Sequence, residues 1–330
     1  MIDYESILKK QINDKVTKVS VCVTSYNQKE YIGQCLDGLL NQKEVDFKII
    51  IGDDCSTDGS IQILRRYEEL YPDKIDLIIN EKNLGLFGNR REIFKRCNSQ
   101  YVAFCDGDDY YIDQNVLSRK VSFLDTNREY IGFFSSCYTD KDGIISSETD
   151  YDNIITRGGN DSFDKYDALR NSYPGQVGGL FVRNIYRYLD KDVIDIYYNT
   201  LVDDSGKLAI FCGNIAPIYR ENIPTFVYRH LSTSMEREKS QMNRAKDLWI
   251  SHLSYEELTS KVFGQKMLFK SQMLELSYQA FVTALRTFGN RENASIFKYI
   301  WNNGYLRRGE MLSYFFKRGI YTFYKKRIKL

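Results

Sequence analysis

Four prolines and two histidines in 330 residues are few. Scarce proline leaves helices and strands uninterrupted, because proline removes a backbone donor and breaks either element. With only His230 and His252 present, a histidine-rich metal centre is excluded. No CxxC pair occurs among the seven cysteines, Cys22, Cys35, Cys55, Cys97, Cys105, Cys137 and Cys212. Their odd number, wide spacing and apolar surroundings argue against a zinc ribbon or a disulfide framework, and for buried free thiols in a reducing compartment. A net charge of only +2 gives no global field for a nucleic acid. No apolar stretch approaches the roughly 20 residues that span a bilayer. The opening MIDYESILKKQINDK has no signal-peptide core. These absences predict a cytoplasmic protein with no nucleic-acid partner.

Two further absences concern phosphate. No GxGxxG follows the first strand-like segment and no GxxxxGK[ST] occurs anywhere, which disfavours a nicotinamide enzyme or a P-loop nucleotidase. What is present in the first half is an alternation. KVSVCVTSY (18–26), FKIIIGDD (47–54), IDLIIN (75–80) and YVAFCDGDD (101–109) read as strands. Helices near 29–41, from STDGS (56–60) to about Leu70, and over 84–97 lie between them. Near-continuous apolar strands separated by helices predict a mostly parallel sheet covered on both faces. Ligands bind such sheets at the carboxyl ends of strands, and the unusual residues gather there: Thr24 to Asn27, Asp53 and Asp54, and Asp106 to Asp109.

The last group is the sharpest. Asp106, Asp108 and Asp109 place three carboxylates in four residues beside a hydrophobic strand end, where their repulsion is costly. A divalent cation, a basic partner or solvation in a turn would each offset it. Two hard-oxygen carboxylates at i and i+2 can face one pocket and hold Mg²⁺ or Mn²⁺ together with phosphate oxygens.

The ordered set VSVCVTSYNQKEYIGQCLDGLLNQ, KIIIGDDCSTDGS and NLGLFGNRREIFKRCNSQYVAFCDGDDYY resembles glycosyltransferase family 2, densely over 17–115 and more loosely to about 235. The resemblance implies a GT-A fold, α/β and Rossmann-like, and an inverting transferase that takes a UDP-sugar with Mn²⁺ or Mg²⁺. It implies that Thr24 and Tyr26 line the base and ribose pocket. Asp53 would accept the uracil imide N–H, Arg90 would lie near the nucleotide, Asp106 would face the ribose, and Asp108 would ligate the metal. Asp54 and Asp58 are read instead as caps of the following helix.

Inversion also needs a base to take the acceptor proton. By resemblance this is Asp204 or its neighbour Asp203 in NTLVDDSGKLAIF (199–211), although Ser205-Gly206 replaces the family's commoner aromatic after the acids. His230, in FVYRHLSTSMER, matches a position that can complete the metal's coordination. Glycine-rich YPGQVGGLFVRN (173–184) suits either an acceptor-side wall or a plain entry into a strand.

The expected domains are a lead-in helix (1–16), a catalytic domain (17–235, split at 115/116 into nucleotide-sugar and acceptor halves) and a helical extension (236–330). From Lys317 onward that extension is basic and aromatic without acids, which suits the inner face of an anionic membrane or a homo-oligomer contact. The implied acceptor is a hydroxyl of a bacterial-surface glycan, a lipid-linked glycan or a protein. Two rival readings remain: a catalytically degenerate scaffold, and a metal-dependent phosphotransferase of the haloacid dehalogenase type. The latter would carry its DxD after the first strand, not the fourth.

Overall fold

The computed structural model describes residues 2–12, 14–146, 162–164, 167, 175–199, 205–231, 241–266, 270–287, 290–302 and 305–327. Helix α1 (Tyr4–Ile12) precedes the alternation β1 (Thr17–Ser25), α2 (Ile32–Leu40), β2 (Phe47–Asp53), α3 (Ser60–Leu70), β3 (Ile75–Ile79), α4 (Gly85–Arg96) and β4 (Ser99–Asp106). Strand β1 pairs in parallel with both β2 and β4, and β2 with β3. The chain thus builds outward from β1 to β3 and then crosses back to β4 on the other side of β1. That reversal opens a crevice at the carboxyl ends of β1 and β4, where Thr24 lies opposite Asp106.

The residues explain the layering. Val19, Val21 and Val23 alternate onto one face and pack with Ile32, Cys35, Leu36 and Leu39 of α2. Cys22 points to the other face, where its Sγ lies 3.3 Å from that of Cys97 after α4. Because each side is covered, every residue from Val19 to Ser25 is buried. All seven cysteines are free thiols, as their spacing implied.

Beyond β4 the sheet becomes mixed. The later elements are β5 (Tyr110–Tyr111), α5 (Val116–Thr126), β6 (Gly132–Lys141), β7 (Ile144–Ser146), β8 (Ser162–Phe163), β9 (Leu180–Arg183), α6 (Lys191–Asn199), α7 (Ser205–Gly213) and β10 (Ile218–Arg229). The strand order is β3-β2-β1-β4-β9-β6-β10-β5, with β7 on β6 and β8 on β10. Strand β9 runs antiparallel to both β4 and β6. The short antiparallel pairing of β10 with β5 sets Val227 opposite Tyr110. This pairing brings the end of β10 to the acidic turn.

The glycine-rich segment owes its composition to packing. A Cβ on Gly178 would lie 2.6 Å from the Phe226 ring, and one on Gly179 would lie 2.2 Å from the Ser135 carbonyl oxygen. The backbone is pressed onto the sheet, which favours the strand-entry reading; Tyr173 and Pro174 lie outside the described residues.

Helices α8 (Gln241–Phe263), α9 (Lys270–Arg286), α10 (Arg291–Asn302) and α11 (Arg308–Arg327) form a second compact unit with its own core. Phe281 of α9 stacks on Phe315 of α11 at 5.0 Å. Glu275 accepts hydrogen bonds from Arg318 Nε (3.0 Å) and Tyr314 Oη (2.6 Å). Among the described residues no helix is long and apolar enough to cross a membrane.

One buried charge makes the first unit sensitive to pH. Lys120 of α5 is fully buried and donates from Nζ to the Gly179 carbonyl at 3.0 Å. Burial, and next the nearby Arg119, push its pKa down to about 7. The unfolded chain therefore binds more protons above that value, and stability should rise with pH from about 7 towards 10. Lys120→Met is expected to flatten this rise by about 1 kcal/mol per pH unit. Urea unfolding of both proteins at pH 7, 8 and 9 checks it; parallel curves would refute the assignment.

Candidate active site

At the carboxyl end of β1 the Thr24 hydroxyl donates to Asp106 Oδ1 at 2.6 Å. Arg90 reaches the same oxygen from α4 at 3.2 Å. Helix α4 is set in place by Asn89, whose amide donates to the Gly52 carbonyl at 2.7 Å and accepts from Asn80 at 3.1 Å. Three predicted residues, Thr24, Arg90 and Asp106, therefore meet at one carboxylate drawn from three elements.

The turn after β4 is compact. Gly107 N–H donates to the Thr24 carbonyl at 2.8 Å and Asp109 N–H to the Asp106 carbonyl at 2.9 Å. A Cβ on Gly107 would lie 2.4 Å from Gln28 Oε1, 2.8 Å from Ile32 and 2.9 Å from the Thr24 carbonyl oxygen. Only glycine fits that approach. Burial, then the charge of Asp106, push the Asp108 carboxyl up to about 6, while a hydrogen bond from the Gln28 amide opposes the shift. Asp109 is 1% exposed, and burial followed by the charges of Asp108 and Asp106 raises its carboxyl well above the usual range. Asp109 is shut off from solvent, while Asp106 and Asp108 are partly exposed.

Arg229, at the end of β10, escaped the sequence reading. Its backbone N–H donates to Asp109 Oδ1 at 2.9 Å, and its guanidinium donates to the Asp108 carbonyl and to Gln34 Oε1. The guanidinium lies 4.5 Å from the Tyr110 ring centroid and 5.1 Å from that of Tyr31. It clamps the acidic turn from behind. The next residue, His230, donates its backbone N–H to the Asp140 carbonyl at 2.8 Å. Its Nδ1 is buried with no hydrogen-bond partner among the described residues.

Asp53 ends β2 and is fully buried; Oδ2 accepts from Ser25 Oγ (3.1 Å) and Ser56 Oγ (2.6 Å), and Oδ1 accepts from the Ser56 N–H (2.9 Å). Tyr26, by contrast, is 49% exposed. Asp58 tethers the start of α3 through Ser60 N–H at 2.9 Å. Asp54 does not act as a cap: it accepts from Asn80 and from the Leu84 N–H, holding the entry to α4. Asp203 and Asp204 lie outside the described residues, immediately before α7.

Among the described residues no group of three or more His, Cys, Asp or Glu side chains could hold a metal ion unaided. The donors nonetheless fit a hard divalent cation shared with phosphate oxygens. Such ions need only one or two carboxylates when a diphosphate supplies the rest. The Asp108 carboxyl is pushed up by burial and by Asp106, and His230 Nδ1 has no hydrogen-bond partner among the described residues.

A doubly wound sheet with acids at its switch point, extended by a mixed β9–β6–β10 half, defines the GT-A class. A family model for glycosyl transferase family 2 matches residues 20–187, just over half of the chain, which belongs to that family. The putative teichuronic acid biosynthesis glycosyltransferase TuaG of Bacillus subtilis is 36% identical over 106 residues, 32% of this chain and 41% of that relative. The chain thus spans less than half the length of this curated relative. The structure of Staphylococcus aureus TarS 1–349 in complex with UDP-GlcNAc has a TM-score of 0.60 at 18% identity, covering 87% of this chain and 80% of that one. The mannosyltransferase PcManGT of Pyrobaculum calidifontis, in complex with GDP-Man and Mn²⁺, has a TM-score of 0.52 at 14% identity, covering 98% and 94%.

Replacing Arg229 by lysine retains charge but loses the fork that spans Asp108 and Gln34. Arg229→Lys is expected to lower unfolding free energy by about 1–3 kcal/mol, read as a shift of the urea midpoint. An unshifted midpoint would mean the clamp contributes nothing to the turn.

Proposed function

We propose that this protein is an inverting glycosyltransferase that moves a sugar from a UDP-sugar to a hydroxyl acceptor during synthesis of a bacterial surface polysaccharide or lipid-linked glycan. The observation that carries the reading is the convergence of Thr24 and Arg90 on Asp106, with the half-buried Asp108 two residues on, at the sheet's switch point. The family, the polysaccharide role in TuaG's name and the UDP-GlcNAc bound to TarS support it.

In this reading Tyr26 covers the base, and Asp53 shapes its pocket by holding Ser25 and Ser56. Arg90 and Thr24 fix the Asp106 carboxylate towards the ribose. Asp108 and His230 would hold Mn²⁺ or Mg²⁺ with the diphosphate; the cation supplies positive charge to a departing diphosphate. Arg229 keeps the Asp108 backbone in place. Asp204, or Asp203, takes the acceptor's hydroxyl proton as its oxygen attacks the anomeric carbon opposite the leaving group.

Calorimetry with UDP should show binding at least tenfold tighter with Mn²⁺ than without, and Asp108→Ala should abolish that difference. At about 100-fold over Kd, bound UDP should add about 2.7 kcal/mol of stability. Asp204→Asn should bind UDP as the parent does, yet lose about 100-fold or more in turnover with an accepted UDP-sugar. No metal-dependent binding of any nucleoside diphosphate would sink the transferase reading in favour of a scaffold.

We also propose that α11 lies against an anionic membrane face. Leu312 and Phe316, one turn apart, are exposed, and no acid occurs from Lys317 to Lys329. The full chain should sediment with phosphatidylglycerol vesicles, and Leu312→Ser/Phe316→Ser should reduce the bound fraction several-fold. Equal recovery in the supernatant with and without vesicles would exclude the contact.

A further inference from the structure

The opposite edge of the same sheet carries a second constellation, remote from the acidic turn. Lys18 is the second residue of β1 and Thr24 the last but one, six residues on, so the two sites are about 20 Å apart at the rise of a strand. Between α1, the start of β1 and β4, and the end of α5 lies a cavity of about 240 Å³. Its lining includes Lys18, Arg128 and Arg183 against a single carboxylate, Asp125, together with Gln11 and Tyr101.

The charges do not balance. Asp125 is already engaged by Lys18 Nζ at 2.8 Å and by the Tyr101 hydroxyl at 2.6 Å. Arg183 is 3% exposed, and its hydrogen-bond partners are neutral: the Tyr130 and Leu124 carbonyls, Gln11 Oε1 and the Tyr101 hydroxyl. No carboxylate pairs with Arg183 or Arg128 among the described residues. A buried guanidinium met only by dipoles is incompletely compensated, and an anion entering beside it would gain charge attraction. Lys18 is partly exposed and Arg128 is exposed, so two cations stand at the solvent side with the third beneath them.

We propose that this cavity binds a phosphate group, held between Lys18 and Arg128 over the buried Arg183. Its position makes it independent of the donor-sugar site and of any divalent cation. Carbonyls and a glutamine oxygen hold Arg183 in orientation, so the cationic floor exists before the anion arrives, which reduces the ordering cost of binding. The cavity is larger than a bare phosphate ion needs, so free phosphate and a phosphate ester are both candidates carrying the same recognised group.

The test uses the full chain in chelator, so that no metal supports binding at the acidic turn. Calorimetric titration with inorganic phosphate, and separately with a hexose phosphate, should give saturable binding that Asp108→Ala leaves unchanged. Lys18→Gln/Arg128→Gln, at two positions open to solvent, should weaken that binding at least tenfold. Arg183→Lys, which keeps the buried charge but loses the fork, should weaken it too, provided its melting transition stays cooperative. Tighter binding of the hexose phosphate would assign an ester, and equal binding would assign the free ion; either supports the site. No binding at about 10 mM, a Kd corresponding to less than about 3 kcal/mol, would overturn it. So would binding lost with Asp108→Ala, or binding indifferent to the Lys18 and Arg128 changes.

Discussion

The crowding of Asp106, Asp108 and Asp109 at the end of a buried strand is the constraint around which this site is organised. Like charges in a poorly hydrated turn repel strongly, so their surroundings must supply positive charge or donors. Arg90 and Thr24 meet Asp106, the Arg229 backbone meets Asp109, and the Gln28 amide meets Asp108. Each donor comes from a different part of the chain. Loop β1–α2, helix α4 and strand β10 thus converge on four residues, and their relative placement is largely the solution to one electrostatic problem.

That convergence bears on the three readings of the acidic turn. Solvation does not account for Asp109, which is almost wholly buried, whereas Asp106 and Asp108 are partly exposed. A basic partner accounts for part of the compensation, since the charge of Arg229 opposes the rise of the Asp108 carboxyl. Arg90 engages Asp106, while the Arg229 guanidinium donates to a backbone carbonyl and to Gln34. The Asp108 carboxyl is still raised to about 6 by burial and by the charge of Asp106, and this is where the proposed cation would add positive charge.

The β1–β4 half was legible in the sequence because burial on both faces produces continuous apolar runs, and turn chemistry punctuates them. The gathering of Thr24 and Asp106 at strand ends followed from the same pattern, whereas Arg90 was singled out only by the resemblance to the family. Arg229 was not legible: its partners Asp108 and Asp109 lie about 120 residues away, and nothing local marks an arginine that ends a strand from one on a surface. The engagement of Asp53 did have a local signal. Ser56, three residues on, can return both its hydroxyl and its N–H to the carboxylate, an Asx-type turn. The glycines at 178 and 179 admitted two explanations until the positions of Phe226 and Ser135 were known.

Strands β1 and β4 carry opposite electrostatics at their two ends. Their carboxyl ends hold Thr24 and Asp106 at an acidic turn, whereas their amino ends hold Lys18 and Gln100 at a basic cavity. A parallel sheet gathers each kind of strand end on one edge. Charges added at the strand starts therefore accumulate away from the acidic turn. At the cationic edge, Asp125 is the one carboxylate that lines the cavity, and it is paired with Lys18. The same topology that creates the switch point thus permits two anion-related sites of different character: one that would take a diphosphate through a cation, and one that would take a phosphate group directly.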